Sequence, residues 1–235
     1  MRNPLIMGKN CLKEVLKTKP EVILKIFTYK KDDPILEDAK RRGIQIEFVP
    51  KPKLSTMVNS ESHQGVVARL RERVPTDLRE FLENAPEKAL VVMCDGITDP
   101  QNFGAILRAA ECFGVSAVIY SKNRGVEVTP VVSKASVGAS ELVPLLRVSN
   151  LAETMKRFQK EGFTAVVADV DKSAHSLNTF PFSDRTLLIL GAEGRGVQPL
   201  ICQKADGCVE IPLDGQIDSL NVSQAASILL FKARG

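Results

Sequence analysis

From Ala89 onward the chain is built around short apolar runs that do not alternate with polar residues. "ALVVMC" (89–94), "FTAVVADV" (163–170) and "RTLLILG" (185–191) carry too few polar side chains to expose one face, so each reads as a strand buried on both sides. "VSAVIYS" and "CVEIP" are further strands. Between them "NFGAILRAAECFG" and "LAETMKRFQKEG" place apolar residues at helical spacing, with Asn150 as the cap of the second. Buried strands alternating with helices predict an α/β fold, a mostly parallel sheet with helices on both faces. Ligands of such sheets sit beyond the C-terminal ends of the strands. Function is therefore sought in three loops that follow strands: "DGITDPQN", "GAEGRG" and "LDGQIDSLN".

The chain before Ala89 reads differently. Residues 1–73 alternate helix and strand in a small α/β unit, from the helix "GKNCLKEVLKTKP" to the strand "HQGVVARL". Residues 74–87, charged and holding Pro75 and Pro86, are expected to be a linker with one short helix, and residues 88–235 the second domain. Charge divides at the same place: residues 1–73 hold 16 Lys/Arg against 9 Asp/Glu, and the remainder 16 against 19. A basic module beside a near-neutral one points to polyanion binding, with a solvated lysine-rich surface as an equal reading.

Other chemistry is excluded by what the chain has little of. Five cysteines, an odd number without C-x-x-C spacing, argue against a disulfide scaffold or zinc ribbon. Two histidines, His63 and His175, leave no room for a His-rich metal site. No metal is expected. No apolar run approaches the roughly 20 residues of a membrane helix, and "MRNPLIMGKNCLKEVL" lacks a signal peptide's apolar core. The expectation is a cytoplasmic protein with no membrane partner.

Each loop has a plain reading beside a functional one. In the first, Asp99 caps a helix opened by Pro100, Asn102 is a turn residue or a site residue, and Arg108 lies well off the apolar stripe. In the second, Gly191, Gly194 and Gly196 give G-x-x-G-x-G, the reverse of the dinucleotide fingerprint, so a Rossmann reading fails on order. Glu193 stands inside that loop, exposed or anchoring. In the third, Ser219, Asn221 and Ser223 exceed what one helix cap requires.

Taken together, "NFGAILRAA", "GAEGRG" and "SLNVS" resemble the three motifs of the SpoU/TrmH group of SPOUT RNA ribose 2′-O-methyltransferases: Asn-phi-Gly…Arg, Gly-x-Glu-Gly-x-Gly and Ser-Leu-Asn-Val-Ser. The match covers residues 88–235, and residues 1–73 look like the group's additional N-terminal RNA-binding domain. The sequence departs from the usual pattern at Gln224 and Leu213, neither of which has an assigned role. The two-domain layout is closest to the branch that methylates a guanosine of 23S rRNA, with tRNA as the alternative substrate and a non-catalytic RNA-binding factor as the alternative class.

The resemblance implies a C-terminal deep trefoil knot, a homodimer with its active site near the subunit interface, and S-adenosylmethionine bound in the knot. Gly191, Ile211 and Leu220 would surround the cofactor. Arg108 would hold the target phosphate or polarise the 2′-hydroxyl, because a guanidinium stays protonated and is a poor base. Asn102 would position the ribose or Arg108, Glu193 would orient Arg108 or the substrate, and Ser219 and Asn221 would line the reacting centre. For RNA phosphates the candidates are Lys9, Arg41, Arg42, Lys51, Lys53 and Arg69. His63 would stack on RNA, hydrogen-bond to it, or hold a loop.

Overall fold

A computed structural model describes residues 4–170, 174–217 and 219–234. The chain divides into two units, one formed by residues 1–74 with 128–142, the other by 75–127 with 143–235.

In the first unit β1 (Leu5–Met7), α1 (Lys9–Thr18), β2 (Ile23–Thr28), α2 (Pro34–Arg41), β3 (Gln45–Phe48), α3 (Lys51–Val58) and β4 (Val66–Leu70) follow one another. The strands form one sheet in the order β1-β4-β2-β3, with β2 and β3 parallel and the other pairings antiparallel. Helix α2 starts where the sequence says it must: Asp33 accepts from the Ile35 N–H and Pro34 fills the first turn. On one face Ile6, Leu12, Val15, Ile26 and Leu36 make a core. On the other, Met7, Phe27, Leu54, Val58 and Val67 make a second. Neither β1 nor α3 was expected from the pattern. The first is three residues long, and the second contributes only Leu54 and Val58 to the buried set.

Two segments differ from the expected boundaries. Residues 74–87 are not simply a linker: α4 (Leu78–Glu83), capped by Asp77, buries Leu82 in the second unit's core and sets Phe81 against Phe158, centroids 6.0 Å apart. Residues 128–142, expected inside the C-terminal domain, belong to the first unit. Their helix Pro130–Ala135 buries Val132, and Val131 packs on the Phe27–Leu54 core. Burial of apolar side chains there outweighs chain order.

The second unit runs β5 (Ala89–Asp95), α5 (Pro100–Cys112) and β6 (Ala117–Ser121). After α6, the helix Pro130–Ala135 already described, come β7 (Leu145–Val148), α7 (Leu151–Lys160), β8 (Thr164–Ala168), β9 (His175–Ser176), β10 (Arg185–Gly191), α8 (Pro199–Lys204), β11 (Gly207–Glu210) and α9 (Val222–Ala233). Its seven-stranded sheet has the order β7-β6-β5-β10-β8-β11-β9, every pairing parallel. Helices α4, α7 and α8 cover one face through Leu82, Met155, Phe158 and Ile201. Helices α5 and α9 lie against β6 and β10 and against each other. Ile189, Leu187, Val91 and Val167 are fully or almost fully buried, each contributing about 1.5–3 kcal/mol relative to exposure. The order matters for function. The chain moves outward from β5 to β7, later lays down β8, and then inserts β10 between β5 and β8. The strand order thus switches beside β10, where such sheets take ligands.

Candidate active site

The three loops meet beyond the C-terminal ends of β5 and β10. Asp99 caps α5 by accepting from the Asn102 N–H at 2.9 Å, which fixes Asn102 in the first turn. Its side chain donates to Glu193 Oε1 at 3.2 Å. Asn221 donates to the same oxygen at 2.7 Å and to Asn102 Oδ1 at 3.0 Å. The Val222 N–H, 3.3 Å away, adds a third donor to Glu193. One carboxylate oxygen therefore gathers groups 91 and 28 residues away in sequence. A carboxylate with several donors is held in place, and it locks the two amides in turn.

Asn221 also answers which polar residue caps α9. Its Oδ1 accepts from the Ser223 N–H at 2.9 Å and the Ser223 hydroxyl at 2.6 Å. Ser223 serves the cap, while Asn221 does both jobs. Ser219 lines the adjacent pocket instead.

That pocket, about 320 Å³, lies over the ends of β8, β10 and β11. Leu190, Gly191, Ile211, Leu220, Val222 and Leu229 form much of its wall, so Gly191, Ile211 and Leu220 share one cavity. Its size falls within the range of small-molecule sites. Gly191 cannot be replaced without moving the loop, because a Cβ there would collide with the backbone of Gly196 and Val197. Asp169 also lines the pocket, outside the three loops that the sequence points to. The available signal was an acid closing an otherwise apolar strand.

Arg108 does not join this cluster within one chain. It is exposed and makes no hydrogen bond or ion pair among the described residues. It follows Asn102 by six positions on α5, which sets it roughly 9 Å along the axis and about 120° around it. Within one chain Glu193 is hydrogen-bonded to Asn102 and Asn221 and has no contact with Arg108.

The basic candidates of the first unit are individually engaged. Lys9 pairs with Asp33 at 2.6 Å, Arg42 and Arg41 with Asp38 at 3.1 and 3.5 Å, Lys53 with Glu47 at 3.3 Å, and Lys51 with Glu61 at 3.7 Å. The hydrogen bond to Asp33 raises the Lys9 pKa. Burial alone would raise that of Asp33, but Lys9 and the Ile35 N–H bring it below the usual carboxylate value. Arg69 has a different partner, the Phe27 ring 5.1 Å from its guanidinium carbon. His63 is withdrawn from the RNA-contact set. It is 1% exposed, accepts from the Gly65 N–H on Nδ1 at 3.0 Å and meets Ser55 Oγ through Nε2 at 3.2 Å. It holds a loop, and burial lowers its pKa.

Among the described residues no group of three His, Cys, Asp or Glu side chains is placed to hold a metal, and no helix is long and apolar enough to cross a membrane.

Residues 89–231 match the family model of the SpoU rRNA methylase family, and residues 5–75 match that of the RNA 2′-O ribose methyltransferase substrate-binding domain. The 23S rRNA (guanosine-2′-O-)-methyltransferase RlmB of Photobacterium profundum is 36% identical over 99% of this chain and 98% of its own length. The Pasteurella multocida protein of that name is 36% identical over 97% and 96%. Among solved structures, the SpoU methyltransferase AviRb from Streptomyces viridochromogenes in complex with AdoMet superposes with a TM-score of 0.80 at 24% identity, covering 98% of this chain and 88% of that one.

Proposed function

The chain belongs to the SpoU rRNA methylase family, and on that premise we propose that it transfers a methyl group from S-adenosylmethionine to the ribose 2′-hydroxyl of a guanosine in 23S rRNA, in the cytoplasm. The observation that carries the proposal is the convergence of Asn102 and Asn221 on one carboxylate oxygen of Glu193, at the mouth of an apolar pocket. Full-length similarity to enzymes named for this reaction supports the substrate.

The pocket residues fit the cofactor. Leu190, Ile211, Leu220 and Leu229 offer apolar contact for an adenosine, and the glycine-bearing Gly191–Gly196 loop offers close backbone approach. When bound, S-adenosylmethionine supplies a sulfonium methyl that is already electrophilic. What remains for the chain is alignment and proton removal. Alignment alone supplies about 7–11 kcal/mol in favourable cases. Asn102 and Asn221, held by Glu193, position the ribose, and Ser219 lines the path to the cofactor. Arg108 holds the target phosphate or polarises the hydroxyl, whose proton passes to that phosphate or to a water.

A homodimer completes this site. Arg108 comes from a second copy, because within one chain it faces away from Asn102. The surface that would meet that copy includes exposed Phe231 and Ile228 on α9, beside Phe113 at the end of α5. The C-terminal path is read as a deep trefoil knot, a reading supported by the insertion of β10 between β5 and β8 and by α9 folding back onto α5. In the first unit, Lys9, Arg41, Arg42, Lys51 and Lys53 exchange ion pairs for contacts with RNA phosphates, and Arg69 reaches a phosphate from beside the Phe27 ring.

Methyl transfer from labelled S-adenosylmethionine to separate pools of unmodified 23S rRNA, 16S rRNA and tRNA tests the proposal. The expected product is 2′-O-methylguanosine from 23S rRNA alone. Label in tRNA would keep the chemistry and overturn the substrate, and binding of the cofactor without transfer to any pool would contradict the enzymatic reading.

A further inference from the structure

Beside the apolar pocket lies a second cleft of about 310 Å³, and Ala192 and Gly196 line both. The pocket opens on the β8 and β11 side of the Gly191–Gly196 loop. The cleft opens on the β5 side, bounded by Asp95, Gly96 and Thr98, so the two flank β10. Their chemistry is opposite. The cleft presents two arginines, Arg124 and Arg195, and neither has an acidic partner among the described residues.

Arg124 is held by a relay that starts in the core. Asp95 is 2% exposed, and both its oxygens are occupied, Oδ2 by the Gln198 N–H at 2.8 Å and Oδ1 by Gln198 Nε2 at 2.7 Å. The amide is thereby fixed, and its Oε1 accepts from Arg124 Nη1 at 2.6 Å. A surface arginine that only balanced solvent would not need a buried carboxylate to aim it. Asp95 lines the cleft too, but it is 2% exposed and each of its oxygens already accepts a hydrogen bond from Gln198. Arg195 stands two residues after Glu193, so its backbone is at most about 7 Å from that of the residue gathering the asparagines.

We propose that this cleft binds a backbone phosphate of the substrate RNA, flanking the nucleotide whose ribose sits at Asn102, Glu193 and Asn221. The inference rests on the function proposed above and adds a subsite to it. Arg124 supplies a pre-aimed planar fork that matches a phosphate's oxygens, and Arg195 closes the other side. The loop between pocket and cleft thereby touches cofactor on one face and RNA on the other, which ties the strand's register to the methyl donor. Gln198 is a positioning residue that acts through Arg124.

The test uses the full chain. Binding to an unmodified 23S rRNA transcript is measured across a KCl series for wild type, Arg124→Ala, Arg195→Ala, the double variant and Arg124→Lys, with cofactor affinity by calorimetry and methyl transfer alongside. Each alanine is expected to weaken RNA binding about tenfold and to lower the slope of log affinity against log salt by about 0.7, with roughly twice that in the double variant. Arg124→Lys should recover the salt slope and only part of the affinity, since charge returns without the fork. Wild-type RNA affinity and slope in the double variant, while wild type still methylates the transcript, would overturn the subsite and leave the function standing. An equal loss of cofactor affinity would also overturn it, by assigning the arginines to the pocket. A wild type that neither binds nor methylates the transcript would remove the reading of function, and the subsite with it.

Discussion

The candidate phosphate contacts of the two units are in different states. In the first, which holds the chain's positive excess, five of the candidate phosphate contacts already lie within 4 Å of a carboxylate. In the second, near-neutral unit, Arg108, Arg124 and Arg195 have no acidic partner among the described residues. Surplus charge and available charge are therefore different quantities. A paired lysine must give up a carboxylate before it gains a phosphate, so its net contribution is small. An unpaired arginine at a cleft gains the whole interaction. On the proposed function, the first unit would supply a broad basic field that attracts RNA, and the second would decide where the strand stops.

The largest effect is expected at the second unit's polar cluster, on which chemistry depends in the proposed function. Asn102→Ala and Arg108→Ala are each expected to lower kcat by about a thousandfold, as for removal of a positioning donor, with cofactor affinity by calorimetry unchanged. Near-wild-type turnover in either variant would cancel that residue's role.

Next comes the independence of the units. Deleting residues 1–73 removes the partners of Val131 and Val132, which lie in the 128–142 segment but pack in the first unit. The remaining chain is expected to melt at least several degrees lower than the full chain, since loss of buried contacts of this kind costs about 2–5 kcal/mol. A truncated chain that melts like the whole protein would show the second unit to be self-sufficient.

A smaller effect separates paired from unpaired cations. Arg69→Ala should weaken RNA binding several-fold more than Lys51→Ala, since Arg69 lacks a carboxylate and Lys51 faces Glu61. Equal losses in a filter-binding titration would erase the distinction.

The smallest concerns His63. Its pKa is lowered by burial, so below its ordinary value near 6.5 the unfolded chain takes up a proton before the folded one does. Stability then falls as pH drops from about 7 toward 5, by no more than about 1.4 kcal/mol per pH unit. Chemical denaturation across that range should show the slope, and His63→Gln should flatten it. An unchanged slope in the variant would assign it to other groups.

Much of this was legible from the chain. The buried strands, the α5 cap at Asp99 and the loops beyond β5 and β10 follow from local pattern, because burial on both faces leaves a strong compositional mark. The assignment of residues 128–142 was not, since Val131 and Val132 look alike whichever core they enter. The pairing of Glu193 with Asn102 and Asn221 was also hidden: sequence shows that each is polar and near a strand end, whereas the shared oxygen depends on where β10 inserts. His63 misled for a related reason. A histidine beside Ser62 and Gln64 reads as surface, and only the Gly65 turn that closes over it makes it interior.

In the proposed dimer Asn102 and Arg108 act together from two copies of the chain, and mixing two variants that are inactive alone tests this. Asn102→Ala and Arg108→Ala are combined, allowed to exchange subunits, and assayed for methyl transfer to 23S rRNA. Recovery to about one quarter of wild-type activity is expected, since half the dimers are mixed and each mixed two-fold dimer holds one intact site. A mixture as inactive as its components would place both residues in one chain and contradict the shared site.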